Sequence, residues 1–341
     1  MKFKKYAGNP ILEKNEKNDW ESLCVLNPAV IYDDDNKFKM LYRAAGQDKT
    51  HYIYLGLAES EDGFHFKRMS DKPVVSPTPD NFDSGCIEDP RLFKLGEWYY
   101  LTYASRAYAP GQYWAPDWKF LGDPPKYGPS FLKTNCSLTS LAISKDLYKW
   151  KKLGRITDSR FDDRDVILFP EQVEGKWVKL SRGMERCGEG YPNPNPAIWI
   201  SFSDDMMEWD NYELLMQGEQ DWEDKKIGGS CPPLKTDKGW LFIYHGVANA
   251  DGAYRVGAVL LDLKDPRKIL ARTKDYLMEP EFEYETSGYY NGCVFPTGNV
   301  VKDGTLYIYY GAADKNVCVA TCDYQEFLNY LIKECSVKER K

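Results

Sequence analysis

Residues 89–106 read DPRLFKLGEWYYLTYASR, and this stretch contains the pattern that decides the fold. A proline opens a short apolar run, a turn follows at Gly96, and a second, aromatic-rich run ends on an arginine. Aromatic and aliphatic residues alternate in the second run. This alternation indicates antiparallel strands, because successive side chains of a strand point to opposite faces.

The same order of proline, apolar run, turn and aromatic run occurs five times, with a period of roughly sixty residues. The openings are NPAVIY at 27, DPRLFKL at 89, FPEQV at 169, PPLKT at 232 and FPTGNVV at 295. The aromatic runs that follow them are KFKMLYRA, EWYYLTYASR, KWVKLSR, GWLFIYHG and TLYIYYGA. None of these runs has helical periodicity, so the sequence predicts an all-β protein.

A third element follows each aromatic run, in which an apolar stretch leads to a Ser-Asp turn and then to an aromatic residue. It occurs near Asp62, Asp146 and Asp204, and more loosely near Asp265 and Asp323. Units of three or four strands cannot each bury a core alone, so we expect them to pack face to face in a closed ring. The sequence therefore predicts a five-bladed β-propeller, with a pair of β-sandwiches as the alternative. Residues 324–332 are predicted to form a short C-terminal helix that closes the ring against the first blade.

Residues 1–341 are expected to form a single domain, because closed all-β folds run longer than average domains and no linker interrupts the period. One insertion, residues 108–135, is rich in Pro, Trp, Tyr and Gly and lengthens the second unit. A loop of that length inside a compact fold is typically a functional cover or a binding loop.

Charge and cysteine content restrict the function. The net charge of −7 argues against nucleic-acid binding, which needs a basic surface, and the longest apolar runs are too short to span a bilayer. The nine cysteines form neither a CxxC pair nor a Cys/His metal pattern, and the N-terminal segment lacks the apolar core of a signal peptide. We therefore expect a cytoplasmic protein with reduced thiols. No metal is expected, since the acidic cluster at Asp162, Asp163 and Asp165 is interpreted as a solvated turn.

In a propeller the innermost strand of each blade lines the central channel, so positions where the repeats differ are candidates for function. The aromatic runs end on Arg43, Arg106, Arg182, His245 and, slightly later, Asp314. The residues at the opening prolines are Asn27, Asp89, Phe169, Pro232 and Phe295. One unit thus has a carboxylate at a position where other units have a bulky side chain without a charge. Asp89, flanked by Glu88 and Arg91, is a candidate general acid of the kind that glycosidic bond cleavage requires, rather than part of a simple Asp-Pro turn.

The same positions predict an anion site. Arg and Lys suit phosphate or carboxylate contacts, and His245 is in register with three arginines. Lys226 precedes a pair of glycines that would let the backbone approach a ligand closely. An acidic protein that places these cations at one ring opening is expected to bind an anion there.

The motifs NPAV, IEDPR with YYLTYA, ILFPE, KIGGSCPP with GWLFIYHGV, LLDLKDP, VFPTG and YIYYGAAD occur in this order between about residues 9 and 314. With them the chain resembles glycoside hydrolase family 130, the β-mannoside phosphorylases. The resemblance implies a five-bladed propeller. It also implies inverting phosphorolysis, in which inorganic phosphate attacks the anomeric carbon and mannose 1-phosphate is formed. Phosphate is then a co-substrate, and no cofactor is implied.

The resemblance also implies roles for single residues. Asp89 matches the catalytic acid, which is thought to deliver its proton through the 3-hydroxyl of the sugar. The residues that match phosphate-binding positions are Arg182, Lys226, His245 and, more weakly, Tyr254. The residues assigned to the sugar are Asn27, Arg43 and Asp314, together with Glu88 and Arg106. The expected partners are a small sugar and phosphate, and a homo-oligomer is left open.

Two alternatives stay open at this point. An inverting hydrolase of the same family would need a carboxylate base to activate water, and Glu185 and Glu189 in the stretch after Arg182 could serve. A non-catalytic carbohydrate-binding propeller would need aromatic platforms but neither the acid nor the cations. The linkage is also open between β-1,2 and β-1,4 mannosides and mannosyl-glucose. We expect the insertion, with Tyr113, Trp114, Trp118 and Tyr127, to shape the acceptor subsite.

Overall fold

The computed structural model describes residues 1–337, and in these residues the chain is almost wholly β, with three short α-helices. The strands are β1 (Lys4–Lys5), β2 (Cys24–Tyr32), β3 (Phe38–Ala45), β4 (Ile53–Ser60), β5 (Lys67–Arg68), β6 (Cys86–Leu95), β7 (Trp98–Arg106), β8 (Leu138–Ser144), β9 (Lys151–Arg155), β10 (Asp163–Leu168), β11 (Trp177–Gly183), β12 (Ile198–Ser203), β13 (Asp210–Met216), β14 (Lys226–Gly229), β15 (Leu234–Lys235), β16 (Trp240–Val247), β17 (Tyr254–Leu261), β18 (Ile269–Arg272), β19 (Val294–Lys302), β20 (Thr305–Ala312) and β21 (Asn316–Asp323). The helices are α1 (Ser130–Thr134), α2 (Glu283–Thr286) and α3 (Tyr324–Glu334).

The strands form five antiparallel units in chain order: β2–β5, β6–β9, β10–β13, β14–β18 and β19–β21, the last extended by β1. Short parallel contacts between β4 and β6 and between β8 and β10 join the first three units into one twelve-stranded sheet. The fourth unit is a separate five-stranded sheet, and the fifth is a four-stranded sheet. The predicted all-β class is therefore confirmed. The sequence repeat corresponds to a unit of antiparallel strands that pair in chain order.

The hydrophobic core is divided into clusters that lie between neighbouring units. One cluster joins the first and second units, and others join the second and third, the third and fourth, the fourth and fifth, and the fifth and first. In the last of these, Tyr42 of β3 and Tyr309 of β20 are both fully buried. Strands such as β3 and β16 are consequently buried along their whole length, and most of their residues are apolar.

The Ser-Asp turns have the same hydrogen-bond pattern in three units. Asp62 Oδ1 accepts from the backbone N–H groups of Phe64 and His65, both at 2.9 Å, and Ser60 Oγ accepts from the N–H of Gly63 at 3.0 Å. Asp146 and Asp205 repeat this arrangement, so in the third unit the capping residue is Asp205 rather than Asp204. These side chains satisfy turn N–H groups that strand pairing leaves free.

Helix α3 lies where the fourth and fifth units meet, not against the first unit as predicted. It begins at Tyr324, and the carboxylate of its N-cap residue Asp323 accepts from the N–H of Glu326 at 2.7 Å. Phe327, Leu328 and Leu331 then enter the core cluster that joins those two units. The helix follows β21 directly, so no loop is available to carry it further. It is strand β1, from the N-terminus, that pairs with β21.

The helices of residues 1–337 include none that is both long and apolar enough to cross a membrane.

Candidate active site

A cavity of about 590 Å³ opens where strands from all five units end, and the insertion covers one side of it. Its volume lies in the range of small-molecule sites. Nine of the ten predicted site residues line it: Asn27, Arg43, Glu88, Asp89, Arg106, Arg182, Lys226, Tyr254 and Asp314. His245 is not among the lining residues.

Three β-bulges aim the central side chains into the cavity. The strand register shifts between Leu26 and Ala29, between Glu88 and Arg91, and between Arg164 and Ile167. In each bulge one residue has a left-handed backbone: Asn27 at φ 45°, Asp89 at φ 51° and Asp165 at φ 63°. Asn and Asp tolerate this conformation better than other non-glycine residues, which fits the residue types found.

The bulges correct the repeat alignment in the third unit. Asp165, not Phe169, occupies the position that corresponds to Asn27 and Asp89. Phe169 is fully buried in the cluster between the third and fourth units. Two of the five units therefore present a carboxylate at this point. A spacing signal was available, because Asp165 precedes Arg182 by 17 residues, as Asp89 precedes Arg106.

Asp89 is held by two side chains from the first unit. Its Oδ1 accepts from Asn27 Nδ2 at 2.7 Å and from Arg43 Nη1 at 2.8 Å, and the residue is 7% exposed. Its Oδ2 has no hydrogen-bond partner within residues 1–337. One oxygen is therefore fixed by the protein, and the other is left for a ligand.

Glu88 is the neighbouring carboxylate, and it is held in its ionised form. Its oxygens lie 3.6 Å from Arg43 Nη1 and 3.3 Å from Arg106 Nε. Burial acts to raise its pKa, but the charges of Arg43 and Arg106 outweigh burial and lower the pKa to about 2. Glu88 can accept hydrogen bonds from a ligand but cannot serve as a proton donor near neutral pH.

Asp314 lies at the fifth-unit side of the cavity and accepts a hydrogen bond from Tyr113 of the insertion at 2.9 Å. Burial raises its pKa above the usual value, although Arg43 and Tyr113 oppose this effect. The negative charges of Asp89 and Glu88 raise the pKa further. The site thus collects three carboxyl groups around one guanidinium.

The cavity also has a cationic side, formed by Arg182 and Lys226. Arg182 is 2% exposed, and its Nη2 pairs with Asp165 at 2.7 Å, while its Nε and Nη1 have no partner among the described residues. Burial, together with the charge of Arg182, lowers the pKa of Lys226 to about 7. Buried donors are rarely left unpaired, so this side is built for an anion.

His245 lies behind this side rather than in it. It is fully buried, its ring stacks on Tyr254 at 5.3 Å between centroids, and its Nε2 lies 3.6 Å from Asp165. Burial lowers its pKa to about 3, so the ring is neutral. A Cβ on Gly228 would lie 2.6 Å from the ring. The first of the paired glycines therefore makes room for the histidine, not for a ligand.

The acidic cluster at 162–165 is not a solvated turn. Asp163 and Asp165 are 1% and 5% exposed, and Asp162 pairs with Arg164. Asp163 Oδ1 accepts from the backbone N–H of Arg182 at 3.0 Å, and Asp165 lines the cavity. Asp163 and Asp165 therefore position Arg182 on the cationic side.

Arg91 connects the two sides of the cavity from behind. Its Nη1 donates to the carbonyl oxygen of Asp89 at 2.8 Å, and its Nε donates to that of Ser230 at 3.0 Å. Its Nη2 lies 3.5 Å from Asp165. One buried guanidinium thus fixes the backbone of the candidate acid relative to the anion side.

The insertion contributes part of the cavity wall. Tyr113, Trp118 and Phe120 line the cavity, whereas Trp114 packs on Tyr289 with 4.4 Å between centroids. Tyr127 is 90% exposed and lies outside the cavity. Glu185 and Glu189, the candidate hydrolytic bases, are also exposed and outside the lining.

Comparisons with known proteins agree on one family. The model of glycoside hydrolase family 130, described as β-1,4-mannooligosaccharide phosphorylase, matches residues 3–115 and 133–333. A 1,2-β-oligomannan phosphorylase of Thermoanaerobacter sp. (strain X514) is 37% identical, with 96% of this chain and 99% of that protein covered. A β-1,2-mannobiose phosphorylase of the same strain is 35% identical over 96% and 99% of the two chains.

Among solved structures, the β-1,2-mannobiose phosphorylase of Listeria innocua in complex with β-1,2-mannobiose superposes with a TM-score of 0.78. It is 24% identical, covers 97% and 99% of the two chains, and shows the likeness of the folds. The family match leaves out only residues 116–132 between its two segments, which fall within the insertion. With nearly all of the remaining chain matched, this protein belongs to glycoside hydrolase family 130.

Proposed function

We propose that this protein is a β-mannoside phosphorylase, an enzyme that cleaves a β-mannoside with inorganic phosphate and releases α-mannose 1-phosphate. The observation that carries the proposal is one cavity lined both by Asp89 and by Arg182, whose Nε and Nη1 have no partner among the described residues. The names of the relatives, all mannoside phosphorylases, support the same reaction.

The proposal includes the arrangement of the five strand units. We infer a single domain of five blades arranged as a β-propeller around the cavity. The core clusters support this arrangement, since they connect each unit with the next and the fifth with the first. A ring of this kind explains why residues far apart in sequence, such as Asn27 and Asp314, line one cavity.

In the proposed mechanism Asp89 is the general acid. Asn27 and Arg43 hold its Oδ1, so the free Oδ2 carries the proton that reaches the glycosidic oxygen. The family resemblance routes this proton through the 3-hydroxyl of the mannosyl ring. As the bond breaks, the leaving sugar gains the proton and Asp89 becomes ionised.

Phosphate takes the place of an activated water. An inverting hydrolase needs a second carboxylate as base, but phosphate is already anionic and needs cations to hold it instead. Arg182, Lys226 and the hydroxyl of Tyr254 supply donors on that side, while His245 supports them from behind. Glu185 and Glu189 lie outside the cavity, so neither is placed to act as the base of a hydrolase. The mechanism uses side chains and phosphate alone, and no cofactor is proposed.

The mannosyl ring is assigned to the carboxylate side. Asn27 lines the cavity beside Asp89, to which its Nδ2 donates at 2.7 Å. Arg43, Glu88 and Asp314 offer further donors and acceptors. We assign the acceptor sugar to Arg106 and to the insertion, where Trp118 provides an apolar face. The nine cysteines are free thiols, which supports placing the enzyme in the cytoplasm.

The test is to incubate the protein with β-1,2- and β-1,4-mannobiose, each with and without phosphate. Mannose 1-phosphate that forms only with phosphate supports the proposal and identifies the linkage. Free mannose in both tubes would identify a hydrolase, and no cleavage of either substrate would identify a carbohydrate-binding protein.

A further inference from the structure

Asp165 is a carboxylate that lines the cavity on its cationic side. Its Oδ2 lies 2.7 Å from Arg182 Nη2 and 3.6 Å from His245 Nε2, and its Oδ1 lies 3.5 Å from Arg91 Nη2. Burial acts to raise its pKa, but the charges of Arg182 and its neighbours dominate and hold the pKa well below the usual range. Asp165 is therefore an anion at the place where an anion is expected to bind.

The carboxylate cannot easily move away from this place. It is 5% exposed on a left-handed residue in a bulge, and a Cβ on Gly228 would lie only 2.8 Å from its Oδ2. An ionised carboxylate accepts hydrogen bonds and donates none. A fully deprotonated oxyanion beside it would meet a like charge and leave the acceptor unsatisfied. An oxyanion that carries a proton would instead donate to it.

The neighbouring donors can hold the rest of such an anion. Arg182 Nε and Nη1 are buried without partners among residues 1–337, and the ammonium group of Lys226 lies 5.2 Å from the centre of the Tyr254 ring. These groups match unprotonated phosphate oxygens, and Asp165 matches the single P–OH of hydrogen phosphate.

We propose that Asp165 accepts a hydrogen bond from the P–OH of hydrogen phosphate and thereby makes the site select phosphate over sulfate. The inference rests on the proposed phosphorylase function. Hydrogen phosphate and sulfate have the same charge and a similar tetrahedral shape, but sulfate carries no proton near neutral pH. The P–OH keeps its proton during the reaction, an unprotonated phosphate oxygen attacks the anomeric carbon, and the glycosidic oxygen takes its proton from Asp89.

Sulfate inhibition of phosphorolysis tests this selection. With the wild-type enzyme at pH 7, the inhibition constant of sulfate should exceed the KM of phosphate by on the order of tenfold or more. Arsenate, which carries a proton as phosphate does, should support cleavage. Asp165→Asn should shift the ratio of sulfate to phosphate affinity toward sulfate by on the order of 10- to 100-fold, because the amide can donate to sulfate.

Asp162→Asn is the matched control. It removes the same charge from a neighbouring carboxylate that pairs with Arg164 but does not line the cavity. The ratio should stay at the wild-type value in this variant, and an equal shift would assign the effect to net charge and overturn the proposal.

The proposal would also be overturned if the inhibition constant of sulfate for the wild-type enzyme equalled the KM of phosphate. This outcome does not depend on whether Asp165→Asn folds. If the wild-type enzyme forms mannose 1-phosphate without discriminating sulfate, only this inference is wrong. If it forms none, the proposed function itself is wrong.

Discussion

Asp89→Asn removes the proposed proton donor but preserves the size of the side chain and its backbone conformation. Asparagine tolerates the φ of 51° at this position, and its Oδ1 can still accept from Asn27 and Arg43. A positioned general acid contributes about 10²- to 10⁴-fold to the rate, so kcat for β-mannobiose at saturating phosphate should fall by that factor.

The effect on folding should be much smaller. The variant weakens the 2.8 Å contact with Arg43, which costs about 1.5–3 kcal/mol for a hydrogen bond between charged groups. It also removes the repulsion between Asp89 and Asp314, which offsets part of that loss. Thermal unfolding should therefore shift by only a few degrees.

The assay compares two leaving groups. An aryl β-mannoside needs little protonation as it leaves, so the variant should lose far less activity on it than on mannobiose. Asp303→Asn is the matched control, since Asp303 has a φ of 48° and lies in the β19–β20 turn, outside the cavity. A variant that keeps more than about a tenth of the wild-type kcat on mannobiose, or that loses equally on both substrates, would refute the assignment of Asp89 as acid.

Three further results are expected. Arg182→Ala should raise the KM of phosphate by about 100-fold or more, because two buried donors are lost, while mannobiose binding changes little. Phosphate titrations measure this effect, and equal losses of affinity for both ligands would contradict it. Phosphate binding should take up a proton above about pH 7, since Lys226 has a pKa lowered to about 7 and the anion favours its charged form, so the affinity should fall with rising pH. Calorimetry at pH 8 in two buffers of different ionisation enthalpy measures this uptake, and identical heats would exclude it. Trp118→Ala should raise the KM of the acceptor in synthesis from α-mannose 1-phosphate, whereas Tyr127→Ala, at an exposed position, should leave it unchanged.

The strand repeat could be predicted from sequence because its causes are local. Alternation of side chains fixes the strands, and the Ser-Asp turns depend on hydrogen bonds within five residues. The place of helix α3 could not be predicted in the same way. It depends on which apolar surface Phe327 meets in the assembled core, and that surface comes from the fourth and fifth units.

The sequence predicts site residues from residue type and position in the repeat, as at Asp89, Arg182 and Lys226, and these three residues line one cavity. Asp165 was missed because no proline follows it directly, as Pro28 follows Asn27 and Pro90 follows Asp89; the next proline, Pro170, comes five residues after Asp165. His245 lies 3.6 Å from Asp165, but its neutral state and its position outside the cavity lining depend on burial. Burial is a property of the packed units and not of the local sequence.

The central claim is tested most directly by the origin of the oxygen that becomes bonded to the anomeric carbon of the transferred mannosyl group. The reaction of β-1,2-mannobiose with phosphate is run in H₂¹⁸O and followed by ³¹P NMR and mass spectrometry. Attack by phosphate held at Arg182 predicts that the first product is α-mannose 1-phosphate without ¹⁸O. Two free mannoses for each mannobiose consumed, with no mannose 1-phosphate formed, would mean that water, not phosphate, is the nucleophile, and would contradict the account.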